Sequence, residues 1–508
     1  MKLAMRSRRA ALRLASVHAG MAPIVTTIAL AIVATAALAI VLTTAGCTTV
    51  GPDYQVPASA AIYRPGASAP FMGANSALVR SAPLPPQWWR LYQDPVLDRL
   101  VKQAFNANTD LRIAAANLAR AQAVLEQTRS AELPAVELTA GPGYGRPSAA
   151  ALLAPERLKN AWLYDTGANI SYTLDLVGKI KRAVEAASDD IDAAQAGADL
   201  AHVSVAAATT LAYVNTCSAG QDMLVAQHAI DLQQRSVALT SRRVLAGRGS
   251  ALDNTRAAAQ LDQLRAALPP LIAARITAQY RLAVLTGELP GTLPADVTGC
   301  EVAPQLRAPV PVGNGADLLR RRPDIRQAER QLAAATARIG VATAELYPSI
   351  TLGLSAGSTG ALAEFGASNA SRWNIGPLIS WTIPSNGAAR SRIAQADAAS
   401  NAALAHFDGV VLNALREVES ALTVYAQELD RNAALRSARD QSALAFMQAR
   451  TLYQSGRTDA LTALDTDRTL ATTEITLAAS DAQLSADQVA LFLALGGGWD
   501  AQNDGGAK

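Results

Sequence analysis

Two periods alternate along this chain, and each pattern occurs twice. From Asp110 to Pro134, and again from Asp324 to Pro348, Leu, Ile and Ala recur at helical spacing until a proline stops the run. The period then falls to two: Val136, Leu138 and Ala140 alternate in the first copy, Ile350, Leu352 and Leu354 in the second. After a Gly/Ser/Ala-rich loop a second alternation follows. Ile170, Tyr172 and Leu174 face one way there, with Asn169, Ser171 and Thr173 facing the other, matched by Ile379, Trp381 and Ile383 against Ser380 and Thr382. Such alternation predicts two β-strands per copy. Four strands are too few to close a barrel within one chain.

The climbing runs align at an offset of 214 residues. Farther on, 172–178 against 381–387, Gly247-Arg248 against Gly456-Arg457, and Gly287 against Gly496 all hold an offset of 209. A shorter surface loop in the second copy accounts for the difference. The chain is thus a tandem duplication, with a Pro- and Gly-rich linker over roughly 290–315. Between Gly178 and Gly247, and between Gly387 and Gly456, no proline occurs. Each segment predicts one helix about 100 Å long. In the second, Phe407, Val411, Ala414, Val418, Leu422, Tyr425 and Leu429 form a narrow apolar seam, suited to a coiled-coil-like neighbour. The returning stretch, 456–496, and the climbing helix, 317–345, together match the long one, so two shorter helices should stack end to end beside it. Pro269-Pro270 should bend the returning helix of the first copy.

Composition narrows the function. Half of the residues are hydrophobic and only 5% aromatic, which favours long Ala-rich helices over large globular cores. Of 45 basic residues, Lys2, Arg6, Arg8, Arg9 and Arg13 precede residue 47, leaving 40 against 42 acids, no footprint for nucleic acid. That basic start, the apolar run from Ile24 to Ala45 and the sequence Thr44-Ala45-Gly46-Cys47 read as a secretory signal over 1–46. A retained membrane anchor is the other reading of the run. Ala-Gly before a lone cysteine resembles a bacterial lipoprotein box with Cys47 as the acylated residue, although Thr44 stands where Leu is usual. One lipid holds weakly, so a second membrane attachment is expected. Cys217 falls midway along its helix, where the linker should wrap, and both a Cys217–Cys300 disulfide and two free thiols stay open.

A helix hairpin seamed on one side cannot bury its apolar face alone, nor can four amphipathic strands. Both problems are solved if several chains assemble, strands closing a membrane barrel and helices a tube. At this point the residues resemble the outer membrane factors of tripartite efflux and secretion systems, particularly the lipoprotein branch serving drug exporters. The pieces are Cys47-Thr48-Thr49-Val50-Gly51-Pro52-Asp53-Tyr54, Trp88-Trp89 through Asp94-Pro95, Leu319-Arg320-Arg321-Arg322-Pro323-Asp324-Ile325, and Ile339-Gly340-Val341-Ala342 to Leu346-Tyr347-Pro348-Ser349. The resemblance implies a mainly α chain with membrane β, a homotrimer with a twelve-stranded outer membrane barrel, and a periplasmic α-helical barrel closed at its tip. It implies a passive duct without cofactor or catalysis, with a periplasmic adaptor and an inner-membrane RND-type pump as partners. The organisation expected is 1–46 signal, 47–94 lipid-anchored extended segment, 95–289 first repeat, 290–316 linker, 317–496 second repeat and 497–508 tail.

The far tip can be placed from glycine alone. The long helices should end in short turns, from Arg243 through Gly247 to Ser250 and from Tyr453 through Gly456 to Asp459. Leu461 and Asp465, four apart, share a helix face just beyond. The resemblance makes Leu461 an apolar constriction and Asp465 an acidic ring, with Tyr453 and Arg457 among the contacts that hold the turn; a solvated Asp465 is the plainer reading. Thr462 stands where some relatives carry a second acid.

Other candidates reduce to structure. His18, His202, His228 and His406 are scattered without metal spacing. Gly141-Pro142-Gly143-Tyr144-Gly145 reads as a barrel loop rather than a phosphate loop. Arg320, Arg321 and Arg322 read as a solvated or ion-paired cluster, and Trp88, Trp89 and Tyr92 as packing anchors. Two other functions fit parts of the chain: a protein-secretion duct, and a lipid-anchored coiled-coil scaffold with no pore, which leaves the strands unused.

Overall fold

The computed structural model describes residues 49–72, 79–80, 82–148, 155–157, 159–306, 309–382 and 387–497. Cys47, the expected signal, Ile383 and most of the expected tail lie outside them. Besides short turns of helix and a two-residue strand pair, the described elements are helices α1 (Pro95–Ala107) and α2 (Thr109–Arg129), strands β1 (Ala135–Gly145) and β2 (Ala161–Leu174), helices α3 (Lys179–Leu245), α4 (Ala251–Leu285), α5 (Gly315–Arg321) and α6 (Pro323–Ala344), strands β3 (Ser349–Ala361) and β4 (Ser371–Ser380), and helices α7 (Ala388–Gln454) and α8 (Ala460–Ala494). The chain divides into two compact units, the division falling within α2, α3, α6 and α7. Among the described residues no helix is long and apolar enough to cross a membrane.

The first unit holds an antiparallel sheet in the order β1-β2-β3-β4. Its register sorts the side chains by face. Val136 stands opposite Ile170, Ile170 opposite Leu354 and Leu354 opposite Ile375, one apolar row across all four strands. The next row, Glu137, Asn169, Ser355 and Asn374, is polar throughout. Facing partners share a face, so one side is apolar and exposed and the other polar. On the polar side Arg372 pairs with Asp165 at 2.5 Å.

Two expectations are corrected in the sheet. Gly141-Pro142-Gly143-Tyr144-Gly145 is not a loop, because β1 runs through it and pairs Pro142 with Tyr164; β1 is an edge strand of this chain's sheet, where proline is tolerated. Trp381 is not a strand residue, since β4 ends at Ser380 and the indole Nε1 donates to the Leu346 carbonyl at 3.2 Å. The connection 362–370 is shorter than its counterpart 146–160.

The second unit is helical. The long helices α3 and α7 each run 67 residues. The α7 seam is buried from Phe407 through Val411, Ala414, Val418 and Leu422 to Tyr425. The climbing helix, expected unbroken from residue 317, is instead split into α5 and α6 at Arg322, whose extended backbone (ψ 122°) obeys the proline that follows it. Its repeat equivalent Asn108 makes the same break, between α1 and α2. Both break residues reach the end of a returning helix: Asn108 Nδ2 donates to the Leu285 carbonyl at 3.1 Å, and Arg322 Nη1 to that of Ala494 at 2.8 Å. The shorter helices therefore meet end to end. Helix α4 remains helical through Pro269 and Pro270.

Trp88, Trp89 and Tyr92 are buried with Leu97, Leu100 and Phe492, and Trp88 stacks on Phe492 with centroids 4.5 Å apart. Of the arginine cluster, Arg320 pairs with Asp317, Arg322 with Asp324 and Glu417, and Arg321 Nε donates to the Leu495 carbonyl.

Candidate functional site

The two helix-ending turns are built alike. The Gly247 amide donates to the Val244 carbonyl at 3.0 Å and the Arg248 amide to that of Arg243 at 2.8 Å. Gly456 and Arg457 repeat this on Tyr453 and Leu452, at 3.1 and 2.8 Å. The pattern satisfies the last helical carbonyls only if the penultimate residue turns left-handed. Gly247 and Gly456 do so, at φ 72° and 74°. The next helix is then capped at equivalent places: Ser250 Oγ accepts from the Leu252 amide at 3.1 Å, and Asp459 Oδ1 from the Thr462 amide at 2.9 Å. The Thr462 hydroxyl first and the Thr462 amide second hold the Asp459 carboxyl below its usual range.

The turns are tied together. The Arg243 guanidinium lies over the Tyr453 ring, 4.1 Å from its centroid, and its Nη1 donates to the Tyr453 carbonyl at 3.4 Å. The spacing of the turns marked both residues, but not that they meet. The Arg457 side chain is exposed, with no ion pair among the described residues.

Leu461 is 54% exposed, and Asp465 is exposed on the same face of α8. Both line a groove of about 370 Å³ between α4 and α8, with Arg256, Gln260, Gln263 and Arg468 among its walls. The acid next along the helix, Asp467, behaves differently. It is turned toward Ser236 and Arg450, and burial pushes its carboxyl up against their opposing pull.

Three further features complete the picture, of which the sequence had left the second open between two readings and had not shown the first and third. The α7 seam turns polar beyond Tyr425, where Glu428 and Asn432 are buried. Ser480 Oγ donates to Glu428 Oε1 at 2.5 Å, Asn432 Nδ2 to Asp481 Oδ1 at 2.8 Å, and Arg436 pairs with Asp481 at 2.7 Å. The seam's spacing, continued past Leu429, was the available signal. Second, Cys217 and Cys300 are joined by a disulfide between α3 and the linker. Arg275 holds the linker there, Nη2 donating to the carbonyls of Thr298 and Cys300 at 2.8 and 3.0 Å.

Third, in the first unit, two of the quoted sequence pieces touch. A Cβ on Gly51 would lie 2.4 Å from the Gly340 Cα, and one on Gly340 would lie 2.8 Å from the Val50 carbonyl oxygen. The buried Arg182 fastens this strap: Nε donates to the Val50 carbonyl at 3.1 Å, and Nη2 to the Gly51 carbonyl at 3.3 Å and to Asp53 at 2.6 Å. Nothing in the spacing of Arg182 announces this.

Comparison with known proteins follows the same division into halves. The family described as outer membrane efflux protein matches residues 100–288 and 315–497. Outer membrane protein OprJ of Pseudomonas aeruginosa is 30% identical over 460 residues, covering 90% of this chain and 94% of that protein. The toluene efflux pump outer membrane protein TtgF of Pseudomonas putida is 30% identical over 467 residues, covering 90% and 95%. The solved outer-membrane channel OprN aligns with a TM-score of 0.82 at 34% identity, over 89% of this chain and 99% of that one.

Proposed function

The chain belongs to the outer membrane efflux protein family, and on that footing we propose that it is the passive exit duct of a tripartite small-molecule efflux pump, working as a homotrimer in the bacterial outer membrane. The observation that carries the reading is the sheet. Its apolar row Val136, Ile170, Leu354 and Ile375 needs lipid, and its polar row Glu137, Asn169, Ser355 and Asn374 needs water. Four strands cannot satisfy both needs alone; three chains would supply twelve, closed around a wet axis. A pore-free scaffold has no use for such a sheet.

In this reading Cys47 carries the lipid, and the strap held by Arg182 joins it to the sheet unit. The segments 95–289 and 317–496 are the two repeats about the linker 290–316. The turns at Gly247 and Gly456 form the periplasmic tip, where Arg243, Tyr453 and Arg457 meet an adaptor. Leu461 and Asp465 face the axis as the gate. An RND-type inner-membrane pump supplies the energy, and neither cofactor nor turnover is required of this chain. The relative TtgF, named for toluene efflux, supports small-molecule export over protein secretion.

The test is single-channel recording of the purified, acylated chain in planar bilayers, with crosslinking to fix its oligomeric state. Trimers and discrete ionic currents are expected. A monomer in detergent that passes no current would sink the proposal.

A further inference from the structure

The duplication puts opposite charges at equivalent places beside the gate. At the offset of 209 residues Leu252 is the counterpart of Leu461, and Arg256 is the counterpart of Asp465. The fold preserves this equivalence, because the helices are capped by Ser250 and Asp459, themselves 209 apart. Leu252 and Leu461 are exposed to nearly the same extent, 55% and 54%.

Helices α4 and α8 pack together through Leu261, Leu264, Ala471 and Ile475. Arg256, Asp465 and Arg468 all face the one groove between them. All three are exposed, and among the described residues none is in an ion pair within its own chain. Asp467 contributes nothing to this surface, being turned toward Ser236 and Arg450. Farther along α4, Asp262 and Arg265 cancel by pairing with each other.

We propose that the throat is a mixed ring rather than an acidic one: Arg256 faces Asp465 across the α4–α8 groove, and Arg468 adds a second cation, so that the constriction prefers anionic solutes. The inference rests on the trimeric duct described above and deepens it by naming the favoured charge class, solutes bearing carboxylate, sulfonate or phosphate. Rings of acidic side chains select cations and rings of Arg or Lys select anions. Here each chain brings two arginines against one aspartate. Threefold repetition multiplies that excess where low-dielectric walls focus the field. The leucine pair of each chain narrows the path just before these charges.

The experiment measures reversal potentials of the full-length acylated protein in planar bilayers under a KCl gradient. The unmodified channel should favour chloride. Arg256→Gln and Arg468→Gln should each lower the chloride-to-potassium permeability ratio by about twofold or more, and Asp465→Asn should raise it. The exchange Arg256→Asp with Asp465→Arg should restore selectivity close to the starting value. These residues are exposed, so the variants should migrate as the same oligomer, which gel mobility checks. Currents whose reversal potential is unmoved by both arginine substitutions, or an unmodified channel that favours potassium, overturn the mixed ring while leaving the duct intact. Absence of any current from the unmodified protein overturns the duct, and this inference with it.

Discussion

Individual side chains show how far burial and charge have been pushed in the helical unit. The Asp222 carboxyl is driven up to about 6, first by burial and second by the charge of Asp481. Its ordinary value is 3.8, so between the two the folded chain holds a proton that the unfolded chain has lost. The destabilisation is therefore absent in acid, grows as pH rises through that window, and is complete above it. Asp222→Asn should raise stability by about 1 kcal/mol at neutral pH, after allowing for the site's remaining contact with water. No gain is expected below about pH 4, and urea melts at the two pH values check the difference. Asp98 has the opposite sign. Burial raises its carboxyl, but hydrogen bonds from Arg90, Lys102 and Trp89 outweigh it and hold the group at about 2. In the sheet unit, Arg182→Met should cost about 2 kcal/mol by stranding the Val50 and Gly51 carbonyls. Limited proteolysis would report it as faster cleavage at the strap; an unchanged rate would show that the strap holds without Arg182.

At the scale of elements, repeat equivalence is the governing fact. Caps, glycine turns and break residues recur because each satisfies the same orphaned backbone groups in both copies. Asp459→Ala and Ser250→Ala should each weaken their hairpin by about 1 kcal/mol. A lowered thermal midpoint with unchanged helical content is the expected result, and equal melting would remove the caps from the account. The helix lengths were legible because glycine and proline punctuate the chain. The break at Arg322 was also written there, in Pro323, but the apolar period runs through it and hid it. The polar stretch of the α7 seam was hidden for another reason. Glu428 and Asn432 are polar, so the apolar period does not mark them, and their burial follows from Ser480 and Asp481 of α8 standing opposite them.

For the whole molecule, the apolar face of the sheet decides insertion. Leu354→Arg should destabilise the assembled barrel by about 2–4 kcal/mol if it falls near the middle of the bilayer. The expected signature is lost oligomer and lost current, with the helices intact by circular dichroism. Replacing Cys217 and Cys300 by Ser should lower stability by about 2–4 kcal/mol, because the cross-link restricts the unfolded chain over a separation of 83 residues. Equal urea midpoints with and without reductant would contradict that. What the sequence alone determined was whatever depends on local period and on repetition: two copies, two amphipathic strands in each, two long proline-free helices, glycine turns, and faces that are apolar on one side. Those properties are set by neighbours within a few residues, or by one copy's likeness to the other. Only the tertiary structure decided which distant residues meet: Arg182 with the strap, Arg243 with Tyr453, Cys217 with Cys300, and Arg256 in the groove of Asp465. Such pairings depend on how helices are rotated and shifted against each other, which a one-dimensional pattern leaves free.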